Sequence, residues 1–190
     1  MDAYFLEQTF SKRQFADESW TKGDYEACIF RDCRWESGDW SGCTFVDCTF
    51  VSCDLSLAKF VGTAFRDVVF QDCKMLGLRW DRCNLLGLSV AFDRCALDHN
   101  SFYALKLKNT RFNGCSLREV DFVEADLTGA SFAGCTLAGA AFEQTILEGA
   151  DFRTAEGVVL NPEQNRVKNA RFSLAGLPGL VAHYGLRIEA

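Results

Sequence analysis

Residues 122–152 read FVEADLTGASFAGCTLAGAAFEQTILEGADF, with Phe and Leu alternating at every fifth position: Phe122, Leu127, Phe132, Leu137, Phe142, Leu147 and Phe152. Two places before each later centre stands a small residue: Ala125, Ala130, Cys135, Ala140, Thr145 and Ala150. The other three positions of each unit carry the charged and turn-forming residues, such as Glu124, Asp126 and Gly129. A period of five is neither the 3.6 of an amphipathic helix nor the plain alternation of a strand. It fits short extended stretches, in which residues two apart share a face, reset in direction by a corner every five residues. Stacked coils then bury the large residues in columns and pair the backbone with the coils above and below, at ~4.8 Å per coil.

Working outward, the same beat runs through most of the chain, which is the first thing to establish in a repeat sequence. It holds from Phe10, Phe15, Trp20 and Tyr25 to Trp80, Leu85 and Val90, then resumes two residues out of phase at Leu97, Phe102 and Leu107. The phase jump is placed between Val90 and Leu97, where a β-bulge is the favoured reading. The small slots from Gly23 to Ala150 contain no charged residue, and all ten cysteines fall in them. In residues 1–22 the slots hold Gln8, Arg13 and Glu18 instead. Long polar side chains there mark a terminal segment that covers the N-terminal end of the stack.

The cysteines are Cys28, Cys33, Cys43, Cys48, Cys53, Cys73, Cys83, Cys95, Cys115 and Cys135. Were four such units, 20 residues, to close one coil, they would form one ladder of Cys33, Cys53 and Cys73 and another of Cys95, Cys115 and Cys135. Parallel side chains one coil apart are badly posed for a disulfide, and a chain with no CxxC and only two histidines offers no zinc site. Buried free thiols in a reducing compartment are expected. No nucleophile elbow, P-loop, dinucleotide fingerprint or zinc-protease motif occurs. The reading is a non-enzymatic binding protein without cofactor or metal. Asn100 stands in a slot that from Gly23 to Ala150 otherwise holds Cys, Ala, Thr, Gly, Val or Leu, and is expected to bond turn backbone.

Units such as ADLTG, ASFAG, CTLAG and ADFRT (residues 125–154) resemble the A(D/N)LXX motif of the pentapeptide-repeat family. The resemblance implies an all-β, right-handed, quadrilateral β-helix over residues 23–152. The alternation of Leu and Phe centres after residue 97 agrees with four faces, because only then does each column keep one residue type. Residues 153–190 form a C-terminal cap. There Asn161-Pro162-Glu163 reads as a capped helical turn. Leu174, Leu177, Leu180, Val181 and Tyr184 recur at helical spacing, with Gly185 as the C-cap.

The NPE turn and the RFSLAGLPGL stretch (residues 171–180) resemble the Qnr-type quinolone-resistance proteins and the microcin and albicidin immunity proteins of the same family. That resemblance implies a homodimer through the C-terminal segment, with Leu174, Leu177, Leu180, Val181 and Tyr184 at the interface. It also implies a rod that binds DNA gyrase or topoisomerase IV. This chain lacks the longer loops between coils that the plasmid-borne members carry.

The charge distribution bears on the same question. The formal charge is −6, which disfavours direct attraction to nucleic acid or to an anionic membrane. No apolar run reaches membrane-spanning length and no secretory signal opens the chain, so a cytoplasmic location is expected. Residues 17–54 hold nine acids against three bases. The candidate partner-binding surface is Asp24, Glu26, Asp32, Glu36, Asp39, Asp47 and Asp54. Such an acidic rod can occupy a basic DNA-binding saddle as a DNA mimic. Two alternatives stay open: a scaffold or adaptor for another protein, with the acids serving solubility, or immunity to a toxin that does not act on gyrase.

Overall fold

The computed structural model describes residues 3–15 and 20–187. The chain winds as a right-handed, four-sided parallel β-solenoid. Its first face carries β1 (Ala3–Leu6), β3 (Gly23–Glu26), β5 (Thr44–Val46) and β7 (Ala64–Arg66), stacked in that order. Its second face carries β2 (Thr9–Ser11), β4 (Ile29–Arg31), β6 (Thr49–Val51), β8 (Val68–Gln71), β9 (Val90–Asp93) and β10 (Phe112–Asn113). The third and fourth faces are held by single bridges, such as Gln14–Arg34–Asp54–Lys74 and Ser101–Asp121–Ala141. Register is 20 residues per coil, Ala3 pairing with Gly23 and Tyr25 with Phe45. The β1 and β2 coil thus pairs with the next coil along its first and second faces and at Gln14. The Glu18 slot lies outside the described residues.

The centres point inward as the period requires. Phe102, Phe122 and Phe142 stack with centroids 5.3 Å apart at both steps, and Phe112 lies over Phe132 with their planes 2° apart. Adjacent columns meet edge to face, as at Phe112 and Phe122, the arrangement ring quadrupoles favour. Burying each such ring contributes roughly 1.5–3 kcal/mol.

The phase jump is displaced from its expected place. Ala64 still pairs with Asn84, but Val68 pairs with Val90, so the two extra residues fall within 85–89. Phe92, not Val90, is the centre of its unit, stacking on Phe70 at 5.5 Å and on Phe112 at 5.3 Å. Val90 occupies the small slot and is buried there. Leu85, expected as a core centre, is 51% exposed, while Leu88 packs against the core. The cause is local: Val90 and Phe92 share a face, and the larger side chain takes the larger space.

That register shift also joins the two expected cysteine ladders. Lys74 pairs with Ala96, which sets Cys95 over Cys73 and makes one column from Cys33 to Cys135. All ten thiols are free and buried. Seven of them have a task beyond filling space. Most corners close with a short bond from the N–H of the next small slot, as from Ala125 to Phe122 and from Cys43 to Trp40. Among the described residues, the corners before Cys28, Cys33, Cys48, Cys53, Cys73, Cys95 and Cys115 lack it. At each, Sγ approaches the carbonyl two residues back, from 3.2 Å at Cys73 to 3.5 Å at Cys95. The freed N–H of Cys53 donates to Cys73 Sγ, and that of Cys95 to Cys115 Sγ. Sulfur therefore satisfies backbone that the corner leaves open. Burial pushes the Cys48 thiol up to about 12, so it stays protonated and able to donate.

Asn100 Oδ1 accepts from Leu78 N at 2.7 Å, as expected of a buried amide, while its Nδ2 has no partner among the described residues. At the C-terminus Asn161 Oδ1 accepts from Glu163 N in a single turn. Ser173 caps a short 3₁₀ turn, Leu174–Gly176, which runs into α1 (Leu177–Val181). A second 3₁₀ turn, Ala182–Tyr184, ends at Gly185, whose φ of 65° is the left-handed cap conformation.

Candidate partner-binding surface

The seven acids nominated from the sequence are distributed around the rod. Asp24 and Glu26 project from the first face, and Asp47 sits at the corner between the first and second. Asp32 lies at the corner between the second and third faces, Asp54 on the third face between Arg34 and Lys74, and Asp39 on the fourth. Several are locally engaged. Lys22 Nζ lies 2.7 Å from Asp39 and Lys74 Nζ 3.1 Å from Asp54, and Tyr4 donates to Glu26 at 2.6 Å. The Lys22 ammonium, helped by Ser41, holds the Asp39 carboxyl well below the usual carboxylate range. Burial alone would raise Asp54, but Ser56 and Lys74 outweigh it and leave that carboxyl lowered. Glu36 is exposed.

The second face draws a different set together. Its outward residues Ile29, Thr49, Val69 and Ala91 lie in register, with Val51 and Gln71 beside them. Corner carboxylates flank this uncharged floor: Asp47 and Asp67 on one side, Asp32 and Asp72 on the other. Asp67 and Asp72 escaped the sequence reading because they lie beyond the acid-rich stretch. Their position two residues past a centre, identical to that of Asp32 and Asp47, was the signal that could have found them. Arg94 binds Asp72 with both arms of its guanidinium, at 2.7 and 2.9 Å, and Ser89 donates to Asp67 at 2.7 Å.

Two depressions lie side by side on this face, sharing Val69, Ala91 and Arg111. One, of about 310 Å³, also meets Gln71 and Asp93. The other, of about 530 Å³, meets Asp67, Ser89 and Asn109, where the extra residues interrupt the corner. Among the described residues no cluster of three or more His, Cys, Asp or Glu side chains is placed to hold a metal. No helix there is long and apolar enough to cross a membrane.

The nominated C-terminal stripe divides. Leu174, Leu177 and Tyr184 are exposed, Leu174 to 86%, whereas Leu180 packs against the solenoid core and Val181 is half-buried. Gly179 fixes α1 against the last coil: a Cβ there would sit 1.9 Å from the Val158 carbonyl oxygen. Tyr184 donates to Glu163 at 2.6 Å.

Comparison with known proteins agrees with this architecture. Residues 88–161 match the pentapeptide repeat region family. A trypsin-treated variant of QnrB1, a plasmid-mediated fluoroquinolone resistance protein, superposes with a TM-score of 0.72 at 16% identity, covering 100% of this chain and 92% of that one. Full-length QnrB1 gives 0.59 at 14% identity, over 97% and 100%. HetL, a pentapeptide repeat protein involved in heterocyst differentiation regulation in the cyanobacterium Nostoc, gives 0.48 at 17% identity, over 92% and 88%. A search of curated proteins with the sequence returns no significant match.

Proposed function

We propose, on the premise that this chain belongs to the pentapeptide-repeat family, that it binds a type II topoisomerase, DNA gyrase or topoisomerase IV. In this reading it shields the enzyme from quinolones or a peptide toxin. The observation that carries the reading is the shared fold with the fluoroquinolone resistance protein QnrB1 along the whole chain. The acidic N-terminal half supplies a physical route. A topoisomerase holds DNA largely through phosphates, and a rigid rod bearing carboxylates is steered to the same basic saddle. A second chain enters through the exposed Leu174 and Leu177, since two-fold pairing is the common way to cover such patches.

The test is supercoiling by gyrase in the presence of a cleavage-stabilising quinolone. Purified protein restores activity at micromolar concentration or below, or inhibits supercoiling in excess. Absence of either effect on gyrase and topoisomerase IV from several species removes the reading. The spread of acids over all four sides, several of them paired with lysine, then favours a scaffold for another protein. For the dimer, sedimentation at tens of micromolar gives twice the 21.2 kDa chain mass, and the Leu174→Asp, Leu177→Asp double variant, changed only at exposed positions, runs as a monomer.

A further inference from the structure

We infer that the second face, at the level of the phase jump, is a docking groove for a basic segment of a partner protein that carries a branched aliphatic residue at its centre. The inference rests on the binding role proposed above but names a surface and a chemistry that the role leaves open. Three independent features meet there. First, the two extra residues serve no need of the repeat: coils on either side close in 20 residues. The irregularity instead leaves Leu85 and Leu86 outside, Leu86 at 76% exposure, beside Gly87, which has φ of +72° and lies against the Arg66 side chain. Second, the depressions over Val69 and Ala91 open at this level, and the turn closed from Leu88 N to Leu85 O, which exposes the two leucines, leads directly into Ser89 on the lining of one of them.

Third, the floor is acidic toward the N-terminal end, whereas Arg111 lines both depressions toward the C-terminal end, so a cation is drawn to the N-terminal side alone. The second-face segments 27–33, 47–53 and 67–73 and their corners contain Asp32, Asp47, Asp67 and Asp72 against a single base, Arg31. Asp72 is spoken for by Arg94, which leaves Asp32, Asp47 and Asp67 to face a cation. An aliphatic side chain seated between Leu86, Val69 and Ala91 would carry flanking lysine or arginine to Asp47 and Asp67. The sheet's backbone bonds are already made from coil to coil, so recognition is through side chains and not by strand addition.

The experiment follows amide shifts of the ¹⁵N-labelled protein during titration with the peptide acetyl-Lys-Lys-Ile-Val-Lys-Lys-amide, and with its Ser-Ser-centred counterpart of equal charge. Saturable shifts are expected over residues 67–71, 85–93 and 109–111, at least tenfold weaker for the Ser-Ser peptide and for Leu86→Asp. Val69→Arg should abolish them, and Ala141→Arg on the fourth face should not. Leu86 is exposed, so its variant keeps the fold even where Val69→Arg does not. No saturation, shifts spread over acids on all four faces, or equal response to the two peptides overturns the groove. The same variants are then assayed against gyrase. Wild type and Leu86→Asp binding equally would overturn the surface while the topoisomerase reading stands. Binding to neither, with the peptide response intact, sinks that reading and leaves the groove.

Discussion

The coils before the phase jump and those after it share one period and one fold, yet they fill and close their cross-sections differently. Before it, three columns are almost wholly aromatic: Phe5, Tyr25, Phe45 and Phe65; Phe10, Phe30, Phe50 and Phe70; Trp20, Trp40, Phe60 and Trp80. Room for them comes from minimal neighbours. A Cβ on Gly38 would lie 3.3 Å from the Trp35 ring and 3.4 Å from Trp40 Nε1, and one on Gly23 would strike the Ala3 carbonyl oxygen at 2.1 Å. After the jump each coil holds two Leu and two Phe with Ala, Cys, Thr or Val in most slots, and the corners are mostly short bonded turns, several with glycine at positive φ. In the earlier half, strands run further along the first and second faces, and five of the seven thiol-bonded corners, those at Cys28, Cys33, Cys48, Cys53 and Cys73, lie there. The difference teaches that period five dictates where side chains point, while how a corner satisfies its backbone is settled separately, by what occupies the slot beyond it.

The largest test of that contrast is core truncation on each side. Phe122→Ala opens a cavity in a regular Phe column and costs ~3–5 kcal/mol, read by urea denaturation. Trp40→Ala falls in the same range but draws on more ring contacts. A much smaller loss for Trp40 would show the aromatic half to be loosely packed. Next comes the thiol role. Cys73→Ala removes a bond at an open corner, whereas Cys43→Ala leaves a corner already closed by its own N–H to Trp40. The first variant should lose ~1 kcal/mol more than the second, and Cys73→Thr should recover part of it, as Thr145 does naturally at its corner. Equal losses would reduce the cysteines to space-fillers. Added reductant should shift neither melting curve.

The smallest effect concerns the surface. A carboxyl held low in the folded state, as Asp39 is by Lys22, stabilises the fold above its unfolded value near 3.9. That contribution is lost as pH falls through the lower folded value. Both side chains are about half exposed, so screening leaves ~0.5 kcal/mol or less. Asp39→Asn should therefore be barely distinguishable from wild type at pH 7, and the two melting curves should converge below pH 4.

Much of this was legible in the residues. The columns and the terminal Gly185 cap follow from spacing, whereas the four-sided coil came from the family resemblance, with which the Leu and Phe alternation agrees. The site of the phase jump was not. In Val90-Ala91-Phe92 two apolar residues stand two apart, and sequence alone does not say which is the centre. From that ambiguity came the division of one cysteine column into two. The open corners were hidden for another reason, since a missing backbone bond leaves no mark on composition. Charge density was misleading in a third way. Neighbouring units are turned a quarter of the way round the rod, so acids crowded along the chain, such as Asp24, Asp32 and Asp39, diverge in space. Those a multiple of twenty residues apart, such as Asp47 and Asp67, line up.

The direction of the backbone bonds has a mechanical consequence. Apart from the short bonds that close corners, nearly every one joins a residue to the next coil, as from Leu117 N to Thr136 O and from Leu127 N to Ile146 O, and so runs along the rod. Tension applied between the chain ends bears on these levels one after another, like stitches in a seam, and not on all of them together. The rod should therefore extend by peeling from an end in equal steps. Each step frees one 20-residue coil, roughly 65–70 Å of chain at full extension, and the step that releases residues 85–89 is longer by the two extra residues.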